Sequence, residues 1–249
     1  MIHNLKSNKL VELVKIKNNE TFGISCELAI IKIFNGFELP SLVSRSDNNI
    51  TNLLTPHLKN FFIKNKIDKL NYVGLKQNKA DFIDNNDKSY SIKSNLWRSN
   101  KVCPQIIGQC SLKKFNQNIY SKLSSNNNKL LNNEDTKNFI LENPNKLFLL
   151  YFEGLFCCDN TIYIKQNSSM EGYDISLYKT NDIVSQFKNK CFNDKFNFSR
   201  KESWNESSTL KVLVNNKNIS IGEFQIHNSR DCIKFRFNFN NLIKYIESK

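Results

Sequence analysis

The sequence predicts one folded domain over residues 1–249, of α/β or α+β class, and three observations lead there. A chain of 249 residues suffices for one sizeable core and is short for two. Segments with helical apolar spacing are interspersed with short segments of period-two or compact apolar character. Hydrophobic content of 39% and charged content of 24% suit a chain that buries a core. With only seven Gly and four Pro, its turns must be built from the abundant Asn, Asp and Ser.

In chain order, Leu5–Ile16 carries Leu10, Leu13 and Val14 at helical spacing and predicts a short helix, closed by capping residues at Asn18–Thr21. Ile24–Phe34 is apolar nearly all round, so it predicts a buried helix with Glu27 as its one acid and Gly36 near its stop. Thr55–Asn65 predicts a helix with Pro56 in the first turn, where the missing N–H is tolerated. Ala80–Ile83 and Tyr90–Ile92 flank the turn-rich Asp84–Ser89 and read as a β-hairpin. Pro104–Leu112 reads as the start of another helix, on which Gln105 and Gln109 would share a face. Asn116–Asn145 is polar and predicts loop plus surface helix, whereas the compact run Leu147–Phe152 predicts a buried strand. Further strands are expected at Thr161–Lys165, Ile175–Tyr178, Leu210–Val214 and Ser220–Ile226, the last two joined at Asn215–Asn218. Ile233–Phe239 alternates, so one face is apolar and the other presents Lys234 and Arg236. Asn240–Ser248 closes as a helix.

The net charge of +13 gives the chain a long-range attraction for polyanions, with nucleic acid the first candidate. No apolar run is long enough to span a bilayer, and Met1–Glu20 lacks the apolar core of a signal peptide; the expected location is the cytoplasm. The seven Cys are scattered with no C-x-x-C pair, which argues against a zinc site and a disulfide framework.

The hairpin carries the chemistry. Asp81 sits on its first strand, and Ser91-Ile92-Lys93 closes its second. Neighbouring strands bring a carboxylate and an ammonium to one end of a sheet, an arrangement suited to metal-assisted phosphodiester cleavage. Read alone, the pair favours an ordinary hairpin with a surface ion pair; the flanking segments turn the reading toward a nuclease.

Asp81…Ser91-Ile92-Lys93 resembles the PD-(D/E)XK nuclease motif in the variant with Ser at the second acidic position. Lys101–Gln109, KVCPQIIGQ, looks like the segment that follows this motif in some type II restriction endonucleases. Gly222–Phe237, GEFQIHNSRDCIKFRF, is similar to their last core strands. The resemblance implies a restriction-endonuclease-like α/β core, a central mixed sheet with helices on both faces, and Mg²⁺-dependent hydrolysis of specific double-stranded DNA sites. It implies Asp81 as metal ligand, Lys93 as the residue that orients or activates water, and 5′-phosphate and 3′-hydroxyl products. Ser91 is a poorer ligand than a carboxylate, so the backbone carbonyl of Ile92 or another acid would complete the shell. Glu27 is that acid, or else a structural ion-pair partner within the core. Asp84 and Asp87 belong to the turn, and Glu153 is a lesser candidate.

For DNA contact, Gln225, His227, Asn228 and Arg230 lie in a polar loop of the matched tail, within strands 208–239. Gln105 and Gln109 are either groove readers or members of a buried hydrogen-bond network. Lys76, Lys79 and Lys101 flank the hairpin (72–95) and suit phosphate contacts. The resemblance also implies a homodimer, although a monomer is possible, and a DNA methyltransferase as functional partner. Two alternatives stay open: a structure-specific repair or junction nuclease of the same fold, and a basic nucleic-acid-binding module in which Ser91 marks a dead catalytic centre.

Overall fold

The structure, a computed structural model, describes residues 18–37, 39–74, 78–124, 129–169, 172–191 (188–191 by backbone alone), 194–198, 206–227, 229 and 231–248. The expected helix Leu5–Ile16 and the candidates Lys76, Asn228 and Arg230 lie outside the described residues.

Asn18 opens α1 (Asn19–Phe34) by accepting a hydrogen bond from the Thr21 amide at 2.8 Å. The helix stops just before Gly36, whose φ of 66° is the left-handed conformation that ends helices. After α2 (Pro40–Val43), Asp47 caps α3 (Asn48–Lys64) through the amides of Asn49 and Ile50. This helix begins before the expected Thr55, so Pro56 lies inside it instead of in its first turn. Ile50, Leu54, Leu58 and Phe62 recur every four residues and bury one stripe against α1. That stripe outweighs the backbone hydrogen bond Pro56 cannot make.

β1 (Asn71–Tyr72), β2 (Phe82–Ile83) and β3 (Ser89–Asn95) follow, and the expected hairpin is formed with Phe82 opposite Tyr90. Asp84 makes its turn by accepting from the amides of Asn86 and Lys88, as a turn aspartate should. β4 (Lys101–Val102) and β5 (Gln109–Cys110) bracket a second turn. The helix expected from Pro104 is not there. Ile106 takes a φ of 62°, and Gly108 lies so close to Pro104 that a Cβ would stand 2.3 Å from its carbonyl oxygen. Helix begins only at α4 (Leu112–Phe115), capped by Ser111, and runs through a π-helical stretch, Asn116–Tyr120, into α5 (Ser121–Leu123). Gln105 and Gln109 therefore share no helix face.

α6 (Asn133–Glu142) is the expected surface helix, and α7 (Pro144–Leu155) absorbs Leu147–Phe152. A continuous apolar run is compatible with strand or buried helix, and Pro144 in the first turn together with the run's full length decides for helix. β6 (Asn160–Gln166) and β7 (Tyr173–Lys179) match expectation. α8 (Thr180–Cys191), β8 (Phe196–Phe198), β9 (Ser207–Val214), β10 (Lys217–Ile226), β11 (Ile233–Asn238) and α9 (Phe239–Glu247) complete the chain. The β9–β10 turn uses Asn215 and Asn216 at positive φ, a conformation Asn tolerates well.

The strands form two sheets, not the one central sheet expected. The first is mixed, ordered β1-β2-β3-β6-β7, with β3 and β6 parallel and the other pairs antiparallel. The second is antiparallel, ordered β4-β11-β10-β9-β8, with β5 also on β11. Alternation along β6 links two cores: Ile162 and Ile164 face the α1–α3 cluster, while Tyr163 packs with Phe239 in the other. β3 has the same two faces, and its polar one carries the candidate site.

Candidate active site

Along β3, β2 pairs with Ser89 and Tyr90 alone, leaving the rest of that edge open. Asp81, just before β2, fills the next place. Its amide donates to the Tyr90 carbonyl at 2.9 Å, and its Oδ2 accepts the Ile92 amide at 2.7 Å. The carboxylate thus substitutes for a backbone acceptor and is fixed against the strand. Ser91 Oγ donates to the same oxygen at 3.3 Å. Gln105 Nε2 reaches both Asp81 oxygens at 3.3 and 3.4 Å and Ser91 Oγ at 3.2 Å.

Ser91, Lys93 and Asn95 recur with period two on the face opposite the apolar one of Tyr90 and Ile92. Ser91 is fully buried, and Lys93 is 9% exposed. Asn95 ties the strand down: its Nδ2 donates to the Lys101 carbonyl, and its Oδ1 accepts from Tyr163 Oη, both at 3.0 Å. The Cys158 thiol donates to the Lys79 carbonyl at 3.1 Å, holding the segment that leads into Asp81.

Glu27 comes from α1, which packs on β3. It accepts a hydrogen bond from Tyr72 Oη at 3.4 Å and makes no ion pair among the described residues. Burial and then the Asp81 charge push its carboxyl up to about 7, against the opposing pull of Lys93, Tyr72 and Arg45. Burial, Glu27 and Asp81 together push the Tyr72 phenol up to about 12. Two carboxylates are thus near enough to repel, with a buried lysine in the same field.

The structure brings Asp81, Ser91, Lys93, Glu27 and Gln105 together. Lys79 stands at the margin, where it lines a cleft of about 260 Å³ with Gln105, Glu153 and Cys157. Among the described residues, Lys101, Gln109 and Gln225 belong to the second sheet, and His227 follows the end of β10. Gln109, Lys234 and Gln225 form one row across β5, β11 and β10. Lys101 on β4 pairs with Glu223 at 2.6 Å, and His227 lies 3.9 Å from Glu206. Tyr72 and Glu223 were not anticipated. Tyr72 follows only from extending the hairpin upstream by β1, and Glu223 only from pairing the polar positions of β10 and β11.

Two carboxylates and a lysine in mutual reach beside an open strand edge are a group that can hold a divalent cation and orient a water against a phosphodiester. Among the described residues no three His, Cys, Asp or Glu side chains are grouped to hold a metal ion.

Sequence comparison leads toward the restriction enzymes. The chain is 35% identical over 164 residues to "Type II restriction enzyme CviAII" of Paramecium bursaria Chlorella virus 1, a match over 66% of this chain and 43% of that protein. The chain spans less than half the length of this relative. No family model matches the chain, and no solved structure matches it. Among the described residues, no helix is long and apolar enough to cross a membrane.

Proposed function

We propose that this chain is a type II restriction endonuclease that hydrolyses phosphodiester bonds of double-stranded DNA at a specific sequence, leaving 5′-phosphate and 3′-hydroxyl ends. The observation that carries this reading is the Asp81 carboxylate fixed across the open edge of β3 beside Ser91-Ile92-Lys93. The similarity to a restriction enzyme supports it. The site fits the Ser variant of the PD-(D/E)XK motif.

The residues also suit Mg²⁺. Glu27 and Asp81 repel each other in a buried setting, which a cation between them would relieve. N–H and C=O of one strand residue point to the same edge, so the Ile92 carbonyl shares the edge whose N–H meets Asp81. Asp81, Glu27 and that carbonyl would hold the ion, with water and substrate phosphate filling the shell. When bound, the ion polarises the phosphoryl oxygen and lowers the pKa of water.

The protein's own groups do the rest. Lys93 donates from its ammonium to the scissile phosphate and the attacking water, stabilising charge as it develops. Ser91 and Gln105 act as positioning residues that keep Asp81 in one rotamer. Lys79 and Lys101 contact phosphates, as would Lys76. Gln109, Gln225 and His227, with Asn228 and Arg230, read bases. Two subunits would each cut one strand, and a DNA methyltransferase would protect host sites.

The test is Lys93→Ala. Cleavage should be abolished while duplex binding without divalent cation stays within about threefold, because phosphate contacts elsewhere supply the affinity. A variant that cuts at the parent rate removes the assignment.

A further inference from the structure

The second sheet carries a charge cluster apart from the Asp81–Lys93 site. Glu223 on β10 stands between two cations: Oε1 accepts from Arg236 Nη2 at 2.5 Å and Oε2 from Lys101 Nζ at 2.6 Å. Arg236 lies directly opposite Glu223 in the β10–β11 register, whereas Lys101 reaches in from β4, on the far side of β11. Two cations sharing one carboxylate leave one positive charge over. Arg236 Nε is in addition buried with no hydrogen-bond partner. Lys101 and Arg236 hold the Glu223 carboxyl below its ordinary value against the effect of burial, so it stays an anion.

The two arms differ in freedom. The Arg236 and Glu223 side chains are 23% and 16% exposed, while that of Lys101 is 45% exposed. Arg236 is held in the sheet. Lys101 can swing toward solvent without stranding Glu223, because Arg236 still neutralises it. Electrostatically the place adjoins the catalytic strand: Cys103, two residues after Lys101, lies within the field of Lys234, Arg236 and Lys93.

We propose that Lys101, Glu223 and Arg236 form a phosphate subsite in which Glu223 is a resident competitor that the DNA backbone displaces from Lys101. This rests on the nuclease reading above and adds a restraint to it. In free protein the carboxylate occupies Lys101. A DNA phosphate arriving at the β4 edge takes over the ammonium, and Arg236 keeps the released carboxylate paired. An acid inside a basic surface thereby discourages weak, sequence-blind binding, since each encounter must first break the Lys101–Glu223 pair.

The experiment measures affinity for a random-sequence duplex without divalent cation at several salt concentrations, for the parent, Glu223→Gln, Lys101→Met and the double variant. A partly exposed ion pair of ordinary strength predicts that Glu223→Gln binds up to about fivefold more tightly. Lys101→Met should bind more weakly and flatten the salt dependence by about one phosphate contact. In the Lys101→Met background Glu223→Gln should bring no gain. A thermal melt identifies any variant that fails to fold; if Glu223→Gln does, Glu223→Ser replaces it. A gain that persists without Lys101, or weaker binding by a folded Glu223 variant, overturns the competitor role. A parent that binds no duplex overturns the nuclease reading and this subsite with it.

Discussion

Glu27 illustrates how much of the site one residue can report. Its folded carboxyl, at about 7, exceeds its ordinary value of 4.5, so between those values the native state holds a proton that the unfolded chain has released. Without divalent cation, stability from this group is complete below about pH 4.5 and is lost as pH rises through 7. Glu27→Gln should remove that decline, so the variant melts higher than the parent at pH 8 and no higher at pH 4; melting curves at both values without divalent cation are the check. A core ion-pair role predicts the reverse, a loss of roughly 3–5 kcal/mol on replacement. Gln105 and Gln109 make a second contrast. Gln105→Leu should cut turnover at least tenfold at a stability cost of about 1 kcal/mol, having lost its bonds to Asp81 and Ser91. Gln109→Ala, on the second sheet, should leave turnover on a tight-binding duplex unchanged; equal losses in the two variants would end the distinction. The approach of Ser91 to Asp81 was legible in sequence because one hairpin brings the two together. Gln105 was legible only as an alternative, since its reach depends on a turn the helical spacing concealed.

At the scale of elements, the turn between β4 and β5 is the part that sequence periodicity misreads and the site most needs. Pro104 resembles a helix start, but the left-handed Ile106 and the close approach of Gly108 to Pro104 reverse the chain and aim Gln105 at Asp81. Gly108→Ala should therefore cost roughly 1–3 kcal/mol, since the added methyl meets backbone that cannot give way. Activity should fall further than stability requires. Denaturant melts alongside cleavage rates measure both, and an active variant of parental stability would refute this account of the turn. The same ambiguity made a strand of Leu147–Phe152. Its neighbours Leu155 and Phe156 extend the buried run past strand length, a cue outside Leu147–Phe152 itself. The alternating tail gave no such difficulty, because period two in Ile233–Phe237 has only one reading.

At the scale of the molecule, the division into two sheets was not legible. Strand order depends on long-range pairing, such as β4 and β5 both joining β11, which no local pattern encodes. The arrangement has a functional consequence. The candidate carboxylates lie beside β3 of the mixed sheet, while Lys101, Gln109 and Gln225 lie on the second sheet, joined to it through Asn95 and Lys101. A net charge of +13 would make any binding to duplex strongly salt-dependent, yet binding alone separates none of the readings of this chain. Cleavage does. Plasmid DNA incubated with the parent protein and Mg²⁺, and resolved by size, is the most direct measurement. The account predicts a fixed set of discrete fragments that disappears with Asp81→Asn and when Mg²⁺ is withheld. Uncut plasmid, a continuous smear, or the same fragments from Asp81→Asn would contradict it.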